Sequence, residues 1–413
     1  MTTDRILKLG RRLIVASFFV LALTGCWDRL EIEERAVVLG VSIDTVNPEE
    51  AEAEEDEVSH LQGSQPVPSK DMIRVAVQIA LPGRIPLGPG ESGGGGKGGA
   101  EKTVWVVDVV GHSLDDAIMN LQQQISSRLF FGHLRVIVVS EKLAEKGLEN
   151  VNDYFRRNSE VRRMAWMMVS KGNAKELMVA APKLERVPTL YLMSTLDEGI
   201  RMGKFPKDYI GIFWSNSSKK GQEGFLPYVE IKKEQNVEVK GLAFFRGSKM
   251  VGKSNPLQIA GYLGVKGINP AGYRVFVKLD GAPSTVMTAA AHRSSKIGLR
   301  IRNGKPVFSV HIAIDVNLEE KMGDKLHIND PKTLRRIELV QQEGSDKSYK
   351  EFLEMTQKLG SDICGFGEIV RSRQPAFWNR HVKTKERWQK MYKEVEFEVS
   401  TSIKIRRIGM KAK

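Results

Sequence analysis

The sequence predicts an α+β protein: a multidomain mixed α/β body of two to three domains, with a C-terminal antiparallel sheet and helices, preceded by a lipoprotein signal peptide. Three observations predict it. The chain opens with a basic, then apolar, then small-residue segment that ends at Cys26. Between residues 104 and 182, β-rich runs alternate with helical periods, the order of an α/β layer. The chain closes on Val395, Phe397, Val399, Thr401, Ile403 and Ile405, which alternate with polar residues and read as a strand of an antiparallel sheet with one wet face.

The first segment is an export signal. Arg5, Lys8, Arg11 and Arg12 precede an apolar run from Leu13 to Leu23, broken by Ser17, and then Thr24-Gly25-Cys26. This is the order of n-region, h-region and cleavage site. A helix of that run reaches about 16 Å against a hydrocarbon core of about 30 Å, too short for a span. Leu-Thr-Gly-Cys directly after the run resembles a bacterial lipobox. Cleavage would fall between Gly25 and Cys26, and Cys26 would carry an S-diacylglyceryl and an N-acyl group. Two chains hold a protein to a bilayer where one holds it only marginally. The other reading is an ordinary cleaved signal with an incidental cysteine.

Residues 1–25 are therefore the signal, 26–230 an N-terminal α/β region with room for two domains, and 231–413 a C-terminal α/β domain. Two segments lack the apolar content to pack: an acidic cluster, Glu49–Glu57, in a polar stretch to about residue 69, and a glycine tract near 88–100. Both read as flexible loops. The tract is no phosphate loop, because Glu91 stands five residues before Gly96 and Lys97 is followed by Gly98.

The elements follow in order. Ala36–Ile43, Ile73–Ala80 and Val104–Val110 read as strands. Ser113 to Ser127 reads as a helix with Ser113 as N-cap, Asp116 three residues on, and Leu114, Ala117, Ile118, Leu121 and Ile125 on one face. Leu134–Val139 and Ala165–Ser170 are buried strands, with a helix at Val151–Arg157 between them and another capped by Asn173. Leu190–Ile200 is helical, and Pro206–Gly224 reads as turn-rich and polar. Val237–Phe245 is a strand ending in a turn at Arg246-Gly247-Ser248, and Leu257–Leu263 a short helix. Tyr273–Leu279, Ser284–Ala290, Gly298–Ile301 and Val307–Val316 read as strands. A helix starts at Pro331 behind Asp330 and runs to about Leu359, with Gly344 as a candidate break.

Composition bounds function. The 41% apolar content suits a globular body, and no second apolar run approaches membrane length. The signal carries four basic residues and one acid, so +10 of the formal +13 remains on the mature chain. For an exported protein that charge fits anionic lipid or wall polymer better than nucleic acid. With Cys26 acylated, Cys364 has no partner in the chain, so this is not a disulfide scaffold. Cys364 has no basic residue or histidine close in sequence and reads as a buried, inert thiol. The histidines (60, 112, 133, 292, 311, 327, 381) show no metal-ligand spacing. His112 and His133 flank one helix and read as structural. Adjacent carboxylates such as Asp115-Asp116 diverge by about 100° on a helix and form no acid–base couple. No catalytic residue, metal ligand or cofactor site is nominated beyond the covalent lipid on Cys26. Trp378 and Trp388, with Phe377, read as a packed aromatic corner leading into the last strand; base stacking is the weaker reading of that basic-aromatic stretch.

These residues resemble a known family. Cys26-Trp27-Asp28-Arg29, Glu31 and the Ala36–Asp44 strand resemble the mature start of the Ger(x)C spore-germination lipoproteins. Gly111-His112-Ser113-Leu114 and Gly132-His133-Leu134-Arg135-Val136 resemble its N-terminal domain. Lys240–Phe245, Asp362–Glu368, Trp378, Trp388 and Ile405–Gly409 resemble its C-terminal domain. The acidic cluster and glycine tract depart from the pattern as insertions, and Gly252–Leu263 matches it poorly. The resemblance implies three mixed α/β domains and a non-enzymatic C subunit of a nutrient germinant receptor. It implies a lipid anchor on the outer face of the spore inner membrane and assembly with A- and B-type integral membrane subunits. The alternative is a solute-binding lipoprotein of a membrane transporter, which would show two similar lobes around a cleft. A wall-modifying hydrolase stands third, since no catalytic group can be nominated for it.

Overall fold

The computed structural model describes residues 34–47, 72–81, 103–180, 187–233, 236–279, 284–322 and 330–408, with positions 10, 11, 17 and 328. The lipobox, the acidic cluster and the glycine tract lie outside the described residues.

Nine strands form one mixed sheet: β1 (Arg35–Thr45), β2 (Ile73–Ala80), β3 (Val104–Gly111), β4 (Arg128–Phe130), β5 (Val136–Ser140), β6 (Trp166–Ser170), β7 (Phe225–Ile231), β8 (Val237–Arg246) and β9 (Lys249–Lys253). The order is β3-β2-β1-β5-β6-β7-β8-β9, with β4 beside the start of β1. The centre, β1-β5-β6-β7, is parallel, and both flanks are antiparallel. Every residue of β5 and β6 is buried, as their unbroken apolar runs require of strands covered on both faces. Val136, Val138, Trp166 and Met168 point into one core, while Ile137, Val139, Met167 and Val169 point into the other. The β7–β8 hairpin carries this sheet past residue 231.

Helix α1 (Leu114–Gln124) starts as its sequence requires. The Asp116 N–H donates to Ser113 Oγ (3.2 Å), and Asp116 Oδ2 accepts from the His112 N–H (2.8 Å). Further helices are α2 (Glu141–Lys146), α3 (Glu149–Arg157), α4 (Ala174–Leu177) and α5 (Pro188–Arg201). Helix α6 (Ile210–Ser218) corrects the turn-rich reading of Pro206–Gly224. Ile210, Phe213 and Trp214 lie on one buried face there. Phe213 meets Phe245 edge-on at 5.1 Å, and Trp214 Nε1 donates to Asn152 at 2.8 Å. One turn-spaced apolar triplet sufficed because the sheet supplies the surface it packs on.

The second sheet has the order β10 (Arg274–Leu279), β11 (Ser284–Arg302), β12 (Lys305–Met322) and β13 (Glu396–Arg407). The first three strands are antiparallel, but β13 joins β12 in parallel, which corrects the reading of a wholly antiparallel sheet. The chain leaves β12 through a helical excursion and returns at the same end, the crossover that a parallel neighbour needs. β11 is one strand with two bulges instead of two pieces. Helix α7 (Pro256–Lys266) carries a full capping box from Asn255 and Gln258. Helix α8 (Pro331–Leu359) runs unbroken through Gly344, capped by Asp330 and ended by left-handed Gly360. Short helices follow, among them α9 (Phe366–Arg373) and α10 (Lys385–Tyr392), with a π-helical turn at Trp378–Val382 between them.

Gly261 and Gly264 let α7 and α8 touch. A Cβ at either position would meet Phe352 at 2.7 Å or Tyr349 at 2.3 Å. The core on this side of the large sheet continues without a break into the second sheet, through Phe244, Leu263, Phe308, Val310, Phe352 and Ile403. The two sheets differ in strand number and order, and the space between them is filled by these side chains.

Candidate functional site

Signature segments of the C-terminal part, Lys240–Phe245, Asp362–Glu368 and Trp388, converge on one buried joint around Asp362, which is 1% exposed. Its Oδ1 accepts from the N–H groups of Gly365 (2.8 Å) and Phe366 (3.1 Å). Its Oδ2 accepts from the Gly367 N–H (2.8 Å) and from Trp388 Nε1 (3.0 Å). Asp362 thus closes the loop ahead of α9 and pins α10 to it. Gly365 is left-handed at φ 78°, and a Cβ at Gly367 would lie 2.4 Å from Trp388 Nε1. That is why the segment reads Gly-Phe-Gly. Phe366 between the glycines packs on Phe308 (4.8 Å) and Phe397 (4.7 Å), which couples the loop to β12 and β13.

The other side of the joint is the turn between α6 and β7. The Gly221 N–H donates to Glu368 Oε1 (2.8 Å), and the Glu368 N–H returns a bond to the Gly221 carbonyl (3.1 Å). Glu223 donates its N–H to the Asp362 carbonyl (2.9 Å). Its carboxylate, 2% exposed, accepts from Gly247 N–H, Gln389 Nε2 and Lys385 Nζ. Ser361 Oγ donates to the Phe245 carbonyl at the end of β8. Gly221 and Glu223 were not singled out by sequence reasoning, and Glu368 only as the end of the Asp362–Glu368 signature. The available signal was Gly221-Gln222-Glu223-Gly224, an acid between glycines that permit close backbone approach: a Cβ at Gly221 would meet the Gly367 carbonyl carbon at 2.3 Å.

The chemistry here is structural. Burial pushes the Asp362 carboxyl up to about 6, against the lowering effect of its four donors. Burial pushes the Cys364 thiol up as well, the reverse of what a nucleophile needs. Trp378 and Trp388 are buried 5.9 Å apart and form the expected aromatic corner. His133 packs edge-on against Phe130, and His112 sits at the cap of α1, where its backbone N–H bonds Asp116 while its buried Nδ1 has no hydrogen-bond partner. Among the described residues no group of three His, Cys, Asp or Glu side chains comes together as a metal site.

Asp362 makes stability pH-dependent. Its folded pKa lies above the unfolded value of 3.8. Between these values the folded chain holds a proton that the unfolded chain has lost, so stability present below pH 4 is lost as pH rises through about 6. Asp208, fully buried with neither oxygen partnered, is pushed well above the usual range and acts in the same direction. Urea unfolding is expected to give a free energy that falls from pH 4 to pH 7, with about 3 kcal/mol of the fall due to Asp362. A flat or rising profile would refute that assignment.

A crevice of about 550 Å³ opens at the C-terminal ends of β1 and β5, lined by Asp44, Arg74, Ser140, Glu141 and Asn173. Open α/β sheets bind ligands at such edges. Here the charges serve the fold. Asp44 accepts from the N–H groups of Ala174 and Lys175, Arg74 pairs with Asp108, and Glu141 binds Lys253 and Tyr228. Gly25 and Cys26 lie outside the described residues. Among the described residues no helix is long and apolar enough to cross a membrane.

Comparison with known proteins covers both sides of the joint. Residues 28–231 match the family described as "Spore germination protein N-terminal domain", and residues 240–409 match "Spore germination B3/ GerAC like, C-terminal". The chain is 25% identical to "Spore germination protein KC" of Bacillus subtilis (strain 168), over 95% of this chain and 94% of that one. It is 24% identical to "Spore germination protein GerQC" of Bacillus cereus, over 76% and 85% respectively. The crystal structure of the GerBC protein shares the fold, with a TM-score of 0.54 at 20% identity over 82% of this chain and 95% of that one. With both family segments matched in order over most of the chain, the chain belongs to the Ger(x)C family of spore germination proteins.

Proposed function

We propose that this chain is the C subunit of a spore nutrient germinant receptor, lipid-anchored through Cys26 and non-enzymatic. It acts on the outer face of the spore inner membrane with two integral membrane subunits, of A and B type. The observation that carries the reading is the ordered match of both family segments over nearly the whole mature sequence. The buried joint supports it from the physical side. Asp362, Glu223 and Glu368 tie the two segments into one body with no accessible nucleophile or acid–base pair among them, the build of a docking subunit. The cleavage point at Gly25–Cys26 and the diacylglyceryl and N-acyl groups on Cys26 belong to the same proposal.

The test is genetic. Spores lacking this chain should lose germination in response to one class of nutrient and regain it when the wild-type chain is restored. The A- and B-type subunits should co-purify with it from detergent-solubilised spore membranes. Normal germination of the deleted spores with every nutrient, in a strain with no second copy, would sink the reading.

A further inference from the structure

The parallel strands of the large sheet begin at one end, and that end is basic. Gly40 of β1, Val136 of β5 and Trp166 of β6 stand in register. Arg135 directly precedes β5, and Arg162-Arg163-Met164 form the turn that leads into β6. Arg128 opens β4 opposite Arg35. Arg128, Arg135, Arg162 and Arg163 are all exposed, and among the described residues none of the four is paired with a carboxylate. Met164 beside them is 70% exposed, a large apolar side chain held out at the tip of the turn. The acids nearby include Glu34, Glu160, Asp153 and the fully buried Asp208. Glu160 is drawn inward by the Phe131 N–H (2.9 Å), and Asp153 is paired with Arg157 (2.7 Å).

The opposite end of the same strands is mixed in charge. It carries Asp44, Glu141 and Glu145 beside Arg74 and Lys142, and Lys253 pairs with Glu141. An eleven-residue strand separates the two ends by about 35 Å. Cys26 precedes Arg35 by nine residues, so a lipid on Cys26 holds the basic end within about 30 Å of the bilayer and leaves the opposite end farther out.

We propose that this end of the large sheet is a second membrane contact. Arg128, Arg135, Arg162 and Arg163 bind anionic phospholipid headgroups, and Met164 enters the headgroup layer. The orientation rests on the Cys26 anchor proposed above; the surface itself does not. Basic residues with an apolar tip are what an anionic interface selects, and their attraction acts within a Debye length of about 10 Å. The contact would turn a flexible tether into a fixed pose, with the joint and the second sheet held at a set height over the membrane.

The experiment uses the mature chain carrying Cys26→Ser, which has no lipid, so its outcome is independent of acylation. Sedimentation with vesicles of phosphatidylcholine plus phosphatidylglycerol should carry the chain down at low salt, and vesicles of phosphatidylcholine alone should not. The double change Arg162→Gln, Arg163→Gln should lower partitioning by roughly thirtyfold, at about fivefold per basic residue near an anionic surface. The double change Lys350→Gln, Lys358→Gln on α8, equal in net charge, should leave it within a factor of about two. Unchanged melting temperatures in both variants exclude a folding defect. Equal losses in the two variants would overturn the proposal, as would failure to bind the anionic vesicles, which would assign the surface to an acidic protein partner. If Cys26 were not acylated in spores, the anchor reading would fall and the vesicle result would stand.

Discussion

Asp362→Ala is expected to destabilise the protein by about 4 kcal/mol and to uncouple the two family segments. The substitution strands the N–H groups of Gly365, Phe366 and Gly367 and the indole N–H of Trp388, all in a buried site. Each unsatisfied buried donor costs about 1–3 kcal/mol. Against this, alanine removes the burden of a buried carboxylate, which is about 3 kcal/mol at pH 7 and vanishes at low pH. The loss should therefore be larger at pH 4 than at pH 7. Most surface substitutions show no such pH dependence, so the profile separates this role from simple loss of packing. Asp362→Asn should fall between, since its amide nitrogen faces donors instead of accepting from them. Urea unfolding of the three proteins at both pH values measures this, and a loss below about 1 kcal/mol for alanine at pH 4 would show that the joint does not depend on the carboxylate.

Cys26→Ala is expected to release the protein from the membrane fraction and to abolish the germination response it supports. The argument is one of chain number. A single acyl chain gives reversible binding, whereas a diacylglyceryl group and an N-acyl group bury enough methylenes, at roughly 0.8 kcal/mol each, to make escape negligible. Without the thiol the group cannot attach, and lipid-dependent cleavage before Cys26 is blocked as well. The basic end of the large sheet would leave weak, salt-sensitive binding, so fractionation should be run at high salt. If the variant stays in the membrane fraction under those conditions and spores germinate normally, Cys26 is not the anchor.

Local features were legible. The Ser113 cap, the unbroken apolar runs of β5 and β6 and the alternation in β13 each depend on residues within a turn or a strand of one another. The limits are as instructive. Alternation in β13 tells which face is wet; it says nothing of which way its neighbour runs, and that neighbour proved parallel. The middle of β11, Ala-His-Arg-Ser-Ser-Lys, has no strand pattern and is a strand because β12 offers it a full ladder of hydrogen bonds. Helix α6 was hidden because its buried apolar residues, Ile210, Phe213 and Trp214, are meaningful only against the sheet that buries them.

The same division holds for the site. Asp362-Ile363-Cys364-Gly365-Phe366-Gly367-Glu368 was recognisable as a signature, yet its purpose lies in partners distant along the chain, Gly221, Glu223 and Trp388. By itself the sequence determined the ordered export signal ending at Cys26, the family signature and most helices and strands, because each is set by neighbours in sequence. Only the tertiary structure decided that a carboxylate at 362 should close on an indole at 388, and that arginines at 128, 135, 162 and 163 should stand at one end of the large sheet. Their proximity depends on which strands lie side by side and at which end they start, and a chain's local preferences do not encode that order.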